Sequence, residues 1–386
     1  MKFKALAIGL LFSSPFLGNA HAASSVTLYG SIDTGIEHVN NIAQRDGSTK
    51  SSTHFTNITS SWPSYWGLRG TEQLDNNLSV LFTLESGFNP GTGTHQQGGR
   101  LFGRQAWVGL KGDWGQIALG RQYNMLLIAS MQADLQGPHA HGLGALDNYI
   151  PNSRMDNSIT YRGNFDGFKF GAAYARGRDT VTSGGPSARG CGVQWDDQSA
   201  CSAWSTMLGY DSATWGVAAA YDVIRGGDTT WGNGGLTDGS DKDRRWTANG
   251  YIKFNDLKVT MLYINRKNEG GIRANNYAWT GPLGTPLGDR SDLWALGAVY
   301  NVTPAVTLQG TVYYLDYKDS DDNARSLYYV AQAKYAFSKR TSTYISAGFM
   351  NNRGSANNSA AGGTVGATPH AGDNQTSIMV GLRHGF

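Results

Sequence analysis

The chain has 386 residues, a formal net charge of +3 and a mean hydropathy of −0.38. This near balance of basic and acidic residues gives no electrostatic basis for binding nucleic acid. No continuous apolar run of 18 residues, the minimum for a helical membrane span, follows the first 22 positions. The 52 glycines far exceed the usual ~7%, and together with many short alternating segments they favour an all-β protein.

The N-terminus carries the pattern of a processing signal. Two lysines precede an apolar segment, Ala5–Gly18, and the small-x-small sequence Ala20–Ala22 follows it. This order is typical of a secretory signal peptide and its cleavage site. We therefore expect residues 1–22 to be removed and residues 23–386 to form the folded domain.

The first predicted strand, Ser25–His38, has one apolar and one polar face. The apolar face carries Val26, Leu28, Ile32 and Ile36, and the polar face carries Thr27, Tyr29, Ser31, Asp33 and Glu37. Such alternation suits a transmembrane barrel strand with lipid outside and water inside. It suits a strand of a large secreted β-protein equally well.

The connections between predicted strands decide between these alternatives. A hairpin joins Tyr65–Leu74 to Leu78–Asn89, and along the chain short turns alternate with long polar loops. The pattern gives sixteen strands, seven short turns and eight longer loops, with both termini on the short-turn side. Short periplasmic turns, long outer loops and antiparallel closure are the plan of an outer-membrane barrel. The sequence thus predicts a 16-stranded antiparallel transmembrane β-barrel.

The third long connection, Asn124–Asn157, is unusual in being both Gly-rich and apolar. Its apolar residues are Met125, Leu126, Leu127, Ile128, Met131, Leu135, Leu143 and Leu146. A long insertion of this kind is usually functional or disordered. We expect this third outer loop to fold into the lumen and to narrow it; the alternative is a mobile surface loop.

Three further features bear on chemistry. Cys191 and Cys201 are the only cysteines, and in an oxidising compartment we expect a disulfide rather than a reactive thiol. His139 and His141 form a His-x-His pair that could bind a metal or titrate near pH 6.5, although polar surface is the simpler interpretation. No metal site or cofactor is predicted.

Seven stretches spread along the chain resemble one known family. In order they are SSVTLYGSIDTG, WGLRGTEQL, LFTLESGFN, RLFGRQAWVGLKG, IALGRQY, NSITYRG and the C-terminal GLRHGF. Together they resemble the trimeric general porins of the Gram-negative outer membrane, β-proteobacterial type. The resemblance implies sixteen strands per subunit, a homotrimer, passage of ions and small hydrophilic solutes, and a constriction formed by the third outer loop.

The resemblance also implies arginines on the barrel wall that face acidic residues on this loop. Arg104 and Arg154 match wall positions, and Arg121 is a further candidate. Where many relatives carry an arginine this chain has Tyr65, and Arg69 lies on the same strand face. This departure weakens the argument for a positive wall, so the sequence favours anion preference only slightly.

Asp134 and Asp147 are assigned to the loop side of the constriction by position and residue type alone. Strand phase suggests that Trp107 faces lipid and that Arg104 and Val108 face inward, because an arginine at the membrane midplane costs ~2–4 kcal/mol.

Among function classes, we favour a non-enzymatic diffusion channel of the outer membrane. The chain lacks the Gly-x-Ser-x-Gly motif of serine hydrolases, so a barrel enzyme is the weaker hypothesis. A channel specific for sugar or phosphate remains the main alternative. Expected partners are two further copies of the chain, membrane lipid and lipopolysaccharide, and small hydrophilic solutes.

Overall fold

A computed structural model describes residues 24–56, 59–147, 149–177, 191, 199–227, 236, 238–273, 287–362 and 366–386. The predicted signal peptide lies outside the described residues. Among those residues, no helix has the length and hydropathy needed to cross a membrane.

Antiparallel strands make up nearly all of the regular structure. They are β1 (Ser25–Ala43), β2 (Thr49–Phe55), β3 (Tyr65–Asp75), β4 (Leu78–Gly87), β5 (Gln105–Gly112), β6 (Gly115–Tyr123), β7 (Arg154–Phe165), β8 (Phe168–Arg176), β9 (Ser202–Asp211), β10 (Trp215–Arg225), β11 (Lys242–Phe254), β12 (Leu257–Ile272), β13 (Gly288–Asn301), β14 (Val306–Lys318), β15 (Arg325–Ala336), β16 (Thr341–Arg353) and β17 (Asn374–Gly385).

The sheet closes on itself through β1. One edge of β1 pairs with β17, from Ser31↔Gly385 to Val39↔Ser377. On its other edge the first half pairs with β3 and the outer half pairs with β2. Strand β2 therefore extends the sheet within the first long connection, and the other sixteen strands close the barrel as predicted. Closure removes the unpaired edges that would otherwise be open to aggregation.

The predicted alternation of β1 is confirmed by its exposure. Val26 and Leu28 are 67% and 59% exposed, whereas Asp33 and Glu37 are 2% and 1% exposed. Apolar side chains thus cover the outer face and polar side chains line the inner face, which is the arrangement of a membrane barrel. The predicted distribution of seven short turns and eight long connections, with both ends of the strand order on the short-turn side, is also confirmed in the described residues.

The connection after β6 runs from Asn124 to Ser153, because β7 begins at Arg154, four residues earlier than expected. It contains a short helix, α1 (Met125–Ser130), and two single 3₁₀ turns, Leu143–Ala145 and Ile150–Asn152. The Asn124 side chain caps α1 by accepting a hydrogen bond from the Leu127 N–H. This N-cap satisfies one of the amide groups that a helix start leaves without a partner.

Apolar side chains of this connection pack into the largest buried cluster of the described residues. Met125, Leu126 and Leu143 are fully buried, and the same cluster includes wall residues such as Leu262 and Tyr313. The apolar character noted in the sequence is thus explained by packing against the inner faces of the strands, which is favourable by ~25 cal/mol per Å² removed from water.

The predicted disulfide between Cys191 and Cys201 is confirmed. The Cys201 N–H donates to the Gly226 carbonyl at 2.8 Å, and the Cys201 carbonyl accepts from the Gly177 N–H at 3.1 Å. The bridge therefore closes a loop within the connection after β8, and the Cys201 N–H links this loop to the start of the connection after β10.

Candidate functional site

Arg104 is the centre of a buried polar cluster on the inner wall. Its guanidinium carbon lies 4.5 Å from the centroid of the Tyr65 ring. Its Nε lies 3.4 Å from Oε2 of Glu85, and Nη2 donates to the Tyr123 hydroxyl at 3.0 Å. One cation is thus held by a carboxylate, a stacked ring and a phenol, and stacking of this kind favours arginine over lysine.

Arg154 and Arg69 extend this cluster in two directions. The Arg154 Nε donates to the Arg104 carbonyl at 3.0 Å, and its guanidinium lies 5.2 Å from the Tyr123 ring centroid. The exposed Arg69 lies 4.9 Å from the ring centroid of Tyr29, whose hydroxyl donates to Glu85 at 2.8 Å. The cluster is therefore continuous, with three arginines stacked on three tyrosines.

Arg121 lies in a neighbouring arrangement. It forms an ion pair with Asp156, which also contacts Arg100 at 3.0 Å, and its Nε donates to the Gly103 carbonyl at 2.8 Å. Tyr65, Arg69, Arg104 and Arg154 thus meet in one cluster on β3–β7. Arg121 does not join it, because it lies across from Ala106 on the face of β5 and β6 that carries the exposed Val108 and Leu119. The charge of Arg121 is offset locally by the carboxylate of Asp156.

The predicted phase of β5 is wrong. Val108 and Leu110 are 52% and 43% exposed on the outer face, and Trp107 shares the inward face with Thr83, its partner on β4. Arg104 nevertheless contacts inward-facing groups, because it precedes the first residue of β5 and does not follow the strand alternation.

The two predicted acidic residues do not meet these arginines. Oδ2 of Asp147 lies 3.1 Å from Nε of Arg245 on β11, and Arg245 also pairs with Asp243 at 2.9 Å. Burial alone would raise the pKa of Asp147, but the guanidiniums of Arg245 and Arg266 outweigh it and hold this pKa below its usual range. Asp147 is therefore an ionised partner of the β11 wall.

Asp134 has a different environment. Its Oδ1 accepts a hydrogen bond of 3.3 Å from the hydroxyl of Tyr313 on β14, and no ion pair to it is present among the described residues. Burial raises the pKa of Asp134 to about 7, against the opposing effect of hydrogen bonds from the Gly137 N–H and the Tyr313 hydroxyl. This carboxyl group is thus partly protonated at neutral pH.

The start of the connection is fixed to the wall by Asp222 on β10. Oδ1 of Asp222 accepts from the Asn124 amide at 2.8 Å, and Oδ2 accepts from the Tyr149 hydroxyl at 2.7 Å. Next to it, the Met125 N–H donates to the Ser205 hydroxyl at 2.9 Å. The two bonds to Asp222 are buried hydrogen bonds to a carboxylate, which are stronger than bonds between neutral groups.

The middle of the connection, at His141, contacts the strands where the barrel closes, β16, β17 and β1. Nε2 of His141 lies 3.1 Å from Glu37 on β1 and 2.8 Å from the Ser377 hydroxyl on β17. Nδ1 of the same ring lies 2.9 Å from the Ser346 hydroxyl on β16. His54 of β2 contacts the second oxygen of Glu37 at 3.1 Å. Among the described residues, no group of three or more acidic, His or Cys side chains is placed to hold a metal ion.

A family model described as Gram-negative porin matches residues 5–355 of the chain. The chain belongs to the Gram-negative porin family. It is 30% identical to outer membrane porin protein 32 of Delftia acidovorans and 29% identical to an outer membrane porin of Bordetella pertussis, with both chains covered completely in each case. The porin is accordingly an integral protein of the outer membrane, and its relatives are channels and not enzymes.

Solved structures agree with this fold. The anion-selective porin from Comamonas acidovorans matches with a TM-score of 0.69 and 23% identity, over 94% of this chain and all of that chain. The trimer form of OmpT of Vibrio cholerae matches with a TM-score of 0.62 and 13% identity, over 94% of this chain and all of that one.

Several inward-facing residues of this porin were not predicted as part of the site. Glu85 and Tyr29 complete the arginine cluster, Arg245 holds Asp147, and Asp222 fixes the start of the connection. Tyr29 was placed correctly on the polar face of β1. Glu85 could have been found in the same way, since alternation along β4 places it on the same face as Thr83.

Protonation of His139 is not expected to affect the conductance of the channel between pH 5 and 8. Burial, together with the neighbouring His141, holds the pKa of His139 well below 6.5, so the ring stays neutral under most conditions. We expect the porin and its His139→Asn variant to show the same dependence of single-channel conductance on pH between pH 5 and 8. A difference in midpoint between the two curves would contradict this.

Proposed function

We propose that the porin is a general diffusion channel with a preference for anions, and that the connection Asn124–Ser153 folds into the barrel as its constriction. The supporting observation is the set of partners of this connection. Its start is hydrogen-bonded to inward-facing side chains of β9 and β10, and its middle to those of β14–β17 and β1. A segment with partners on opposite walls crosses the space between them.

The anion preference rests on where the charges lie. Arg69, Arg104 and Arg154 lie on the β3–β7 wall, and Glu85 contacts Arg104 there. Asp147 is matched by Arg245, and Asp134 is only partly ionised at neutral pH. Rows of fixed charge set ion selectivity by electrostatics, so a wall with excess cations attracts anions. The Comamonas porin of similar fold is itself described as anion-selective.

The residues then have distinct roles. Arg69 and Arg154 supply positive charge to the wall, Tyr65 orients Arg104 by stacking, and Arg121 supports the loop before β5 through the Gly103 carbonyl. Asp147 fixes the connection to β11. Asp134 is a carboxyl group whose charge depends on pH.

We also infer a homotrimer, as in the trimer form of OmpT, whose fold is similar. The apolar outer face would contact membrane lipid and the neighbouring copies, and the long connections would contact lipopolysaccharide. We further infer that residues 1–22 are removed as a signal peptide.

The zero-current potential in a planar bilayer under a KCl gradient tests the proposal. We expect the sign of an anion-selective channel, and we expect Arg69→Glu to shift the potential toward cation selectivity, because this exposed wall residue has no ion pair within the described residues. The matched control is Arg45→Glu, the same charge change in the first outer connection, which should shift it less.

A cation-selective parent would overturn the anion preference but not the channel. Solute swelling rates ordered by size support general diffusion; a strong preference for one sugar or for phosphate would favour a substrate-specific channel instead.

A further inference from the structure

A second set of cations lies at the short-turn end of the barrel. Seven basic residues occur within three positions of the short-turn ends of their strands, and we call them the cationic collar. They are Lys111, Arg162, Lys169, Lys253, Lys258, Lys334 and Arg383. In outer-membrane barrels the short turns face the periplasm.

Strand alternation directs each member of the collar inward. Lys253 lies between Ile252 and Phe254, which are 42% and 55% exposed on the outer face. Lys169 likewise lies between the exposed Phe168 and Phe170. Three further members each lie next to an exposed apolar residue on the outer face: Lys111 beside Leu110, Lys334 beside Tyr335 and Arg383 beside Leu382. The last two lie two positions from a buried inward residue and share its face: Arg162 with Thr160, and Lys258 with Thr260.

Carboxylates are scarce on the same inner face. Asp211 forms an ion pair with Lys169, and the buried Asp33 on β1 is the direct cross-strand neighbour of Arg383 on β17. Within the described residues, the other six members of the collar have no ion-pair partner. Further carboxylates at this end lie at the end of β3 or on the turns, at the rim: Asp75, Asp113, Asp166 and Asp256. The long-loop end differs, because Glu85, Asp156 and Asp243 are each paired with arginines there.

The closest pair in the collar is formed by two lysines on neighbouring strands. Lys253 and Lys258 are direct partners across β11 and β12. Their ammonium groups lie 5.1 Å and 4.5 Å from the centroid of the same Tyr251 ring. Two like charges beside one ring repel each other, and the nearby Asp211 carboxylate offsets part of this repulsion at Lys258. A bound anion relieves their repulsion, and the relief grows with the charge of the anion.

We propose that the cationic collar binds multivalent oxyanions that approach from the periplasmic side. This rests on the proposed channel and adds to it a binding site at the short-turn end, which touches the proposed constriction where Lys258 donates to the Gln132 carbonyl. Lysine ammoniums are flexible point charges suited to phosphate-like groups, and a ring of one charge sign in a low-dielectric wall concentrates counter-ions. A monovalent anion passes through, whereas a multivalent one bridges several members, dwells there and blocks the current.

The test uses the full trimer in planar bilayers with inorganic triphosphate as the probe. Orientation is established with a Lys50→Cys variant, labelled from one side by an impermeant maleimide. We expect triphosphate to block at a concentration about tenfold lower from the short-turn side than from the other side, and to lose potency about five- to tenfold in 1 M salt, where charges are screened within ~3 Å.

The variant Lys253→Gln/Lys334→Gln removes two collar charges without removing a hydrogen bond to the connection, unlike a change at Lys258, which donates to the Gln132 carbonyl. We expect its blocking concentration from the short-turn side to rise about fivefold. The matched control, Arg45→Gln/Lys50→Gln, removes two charges at the opposite mouth and should leave this value unchanged. Equal block from both sides, or equal block of both variants, would overturn the collar site. If the parent porin shows no anion preference but triphosphate still blocks more strongly from the short-turn side, the result counts against the proposed constriction and not against the collar.

Discussion

Replacing Asp222 with alanine is expected to release the start of the Asn124–Ser153 connection from the wall and to destabilise the porin by about 3–6 kcal/mol, because hydrogen bonds to a charged group contribute about 1.5–3 kcal/mol each. The substitution removes the buried carboxylate that accepts from both the Asn124 amide and the Tyr149 hydroxyl, while the Asn124 amide keeps its bond to the Tyr149 oxygen. We expect a lower unfolding midpoint in detergent, followed by circular dichroism. We also expect larger, noisier single-channel currents, since the segment that we propose as the constriction is less restrained.

Two variants separate this effect from a general loss of stability. Tyr149→Phe removes the hydroxyl that donates to Asp222 and accepts from the Asn124 amide, but it keeps the bond between Asn124 and Asp222, so a smaller destabilisation than that of Asp222→Ala is expected. Asp289→Ala removes a carboxylate that is largely exposed at the long-loop end, and a change within about 0.5 kcal/mol is expected for such a surface site. Unchanged current noise in Asp222→Ala would contradict the role of this anchor.

The barrel was predictable from sequence because its two determining signals are local. Alternation over a few residues separates an outer apolar face from an inner polar face, as Val26 and Asp33 show on one strand. Turn length then orders the strands without knowledge of their register. Strand β2 was missed because Thr49–Phe55 is mostly polar, and it pairs with the outer half of β1 alone, where no lipid-facing pattern is required.

The site was less predictable because its contacts depend on distances that sequence does not contain. Asp147 contacts Arg245, which lies 98 positions away along the chain, and only the folded position of the connection brings the two side chains together. Arg104 was placed correctly although the phase argument for it was wrong, since strand alternation does not extend to the residue before β5. The cationic collar lies on regular strands, but its members become neighbours only when the barrel closes.

Anion preference is expected to fall as pH rises from 6 to 8, with Asp134 as the cause. Its pKa of about 7 follows from burial beside Tyr313, so the carboxyl group loses its proton within this window and adds a negative charge next to the proposed channel. The measurement is the zero-current potential under a fixed KCl gradient at each pH. Asp134→Asn should give a flat profile, because the amide stays neutral throughout.

The Asp134 carboxyl group also makes the stability of the porin fall as pH rises. The folded state holds this proton up to about pH 7, whereas the unfolded chain releases it near the ordinary Asp pKa of 3.8. The protonated Asp134 therefore contributes fully to the free energy of unfolding below the unfolded pKa. This contribution is lost as pH rises toward 7, by about 1.4 kcal/mol per pH unit at most. Asp147→Asn is the matched control: its carboxylate is already ionised beside Arg245, so the slope between pH 5 and 7 should persist there and disappear in Asp134→Asn. An equal slope in both variants would assign the pH dependence to another group.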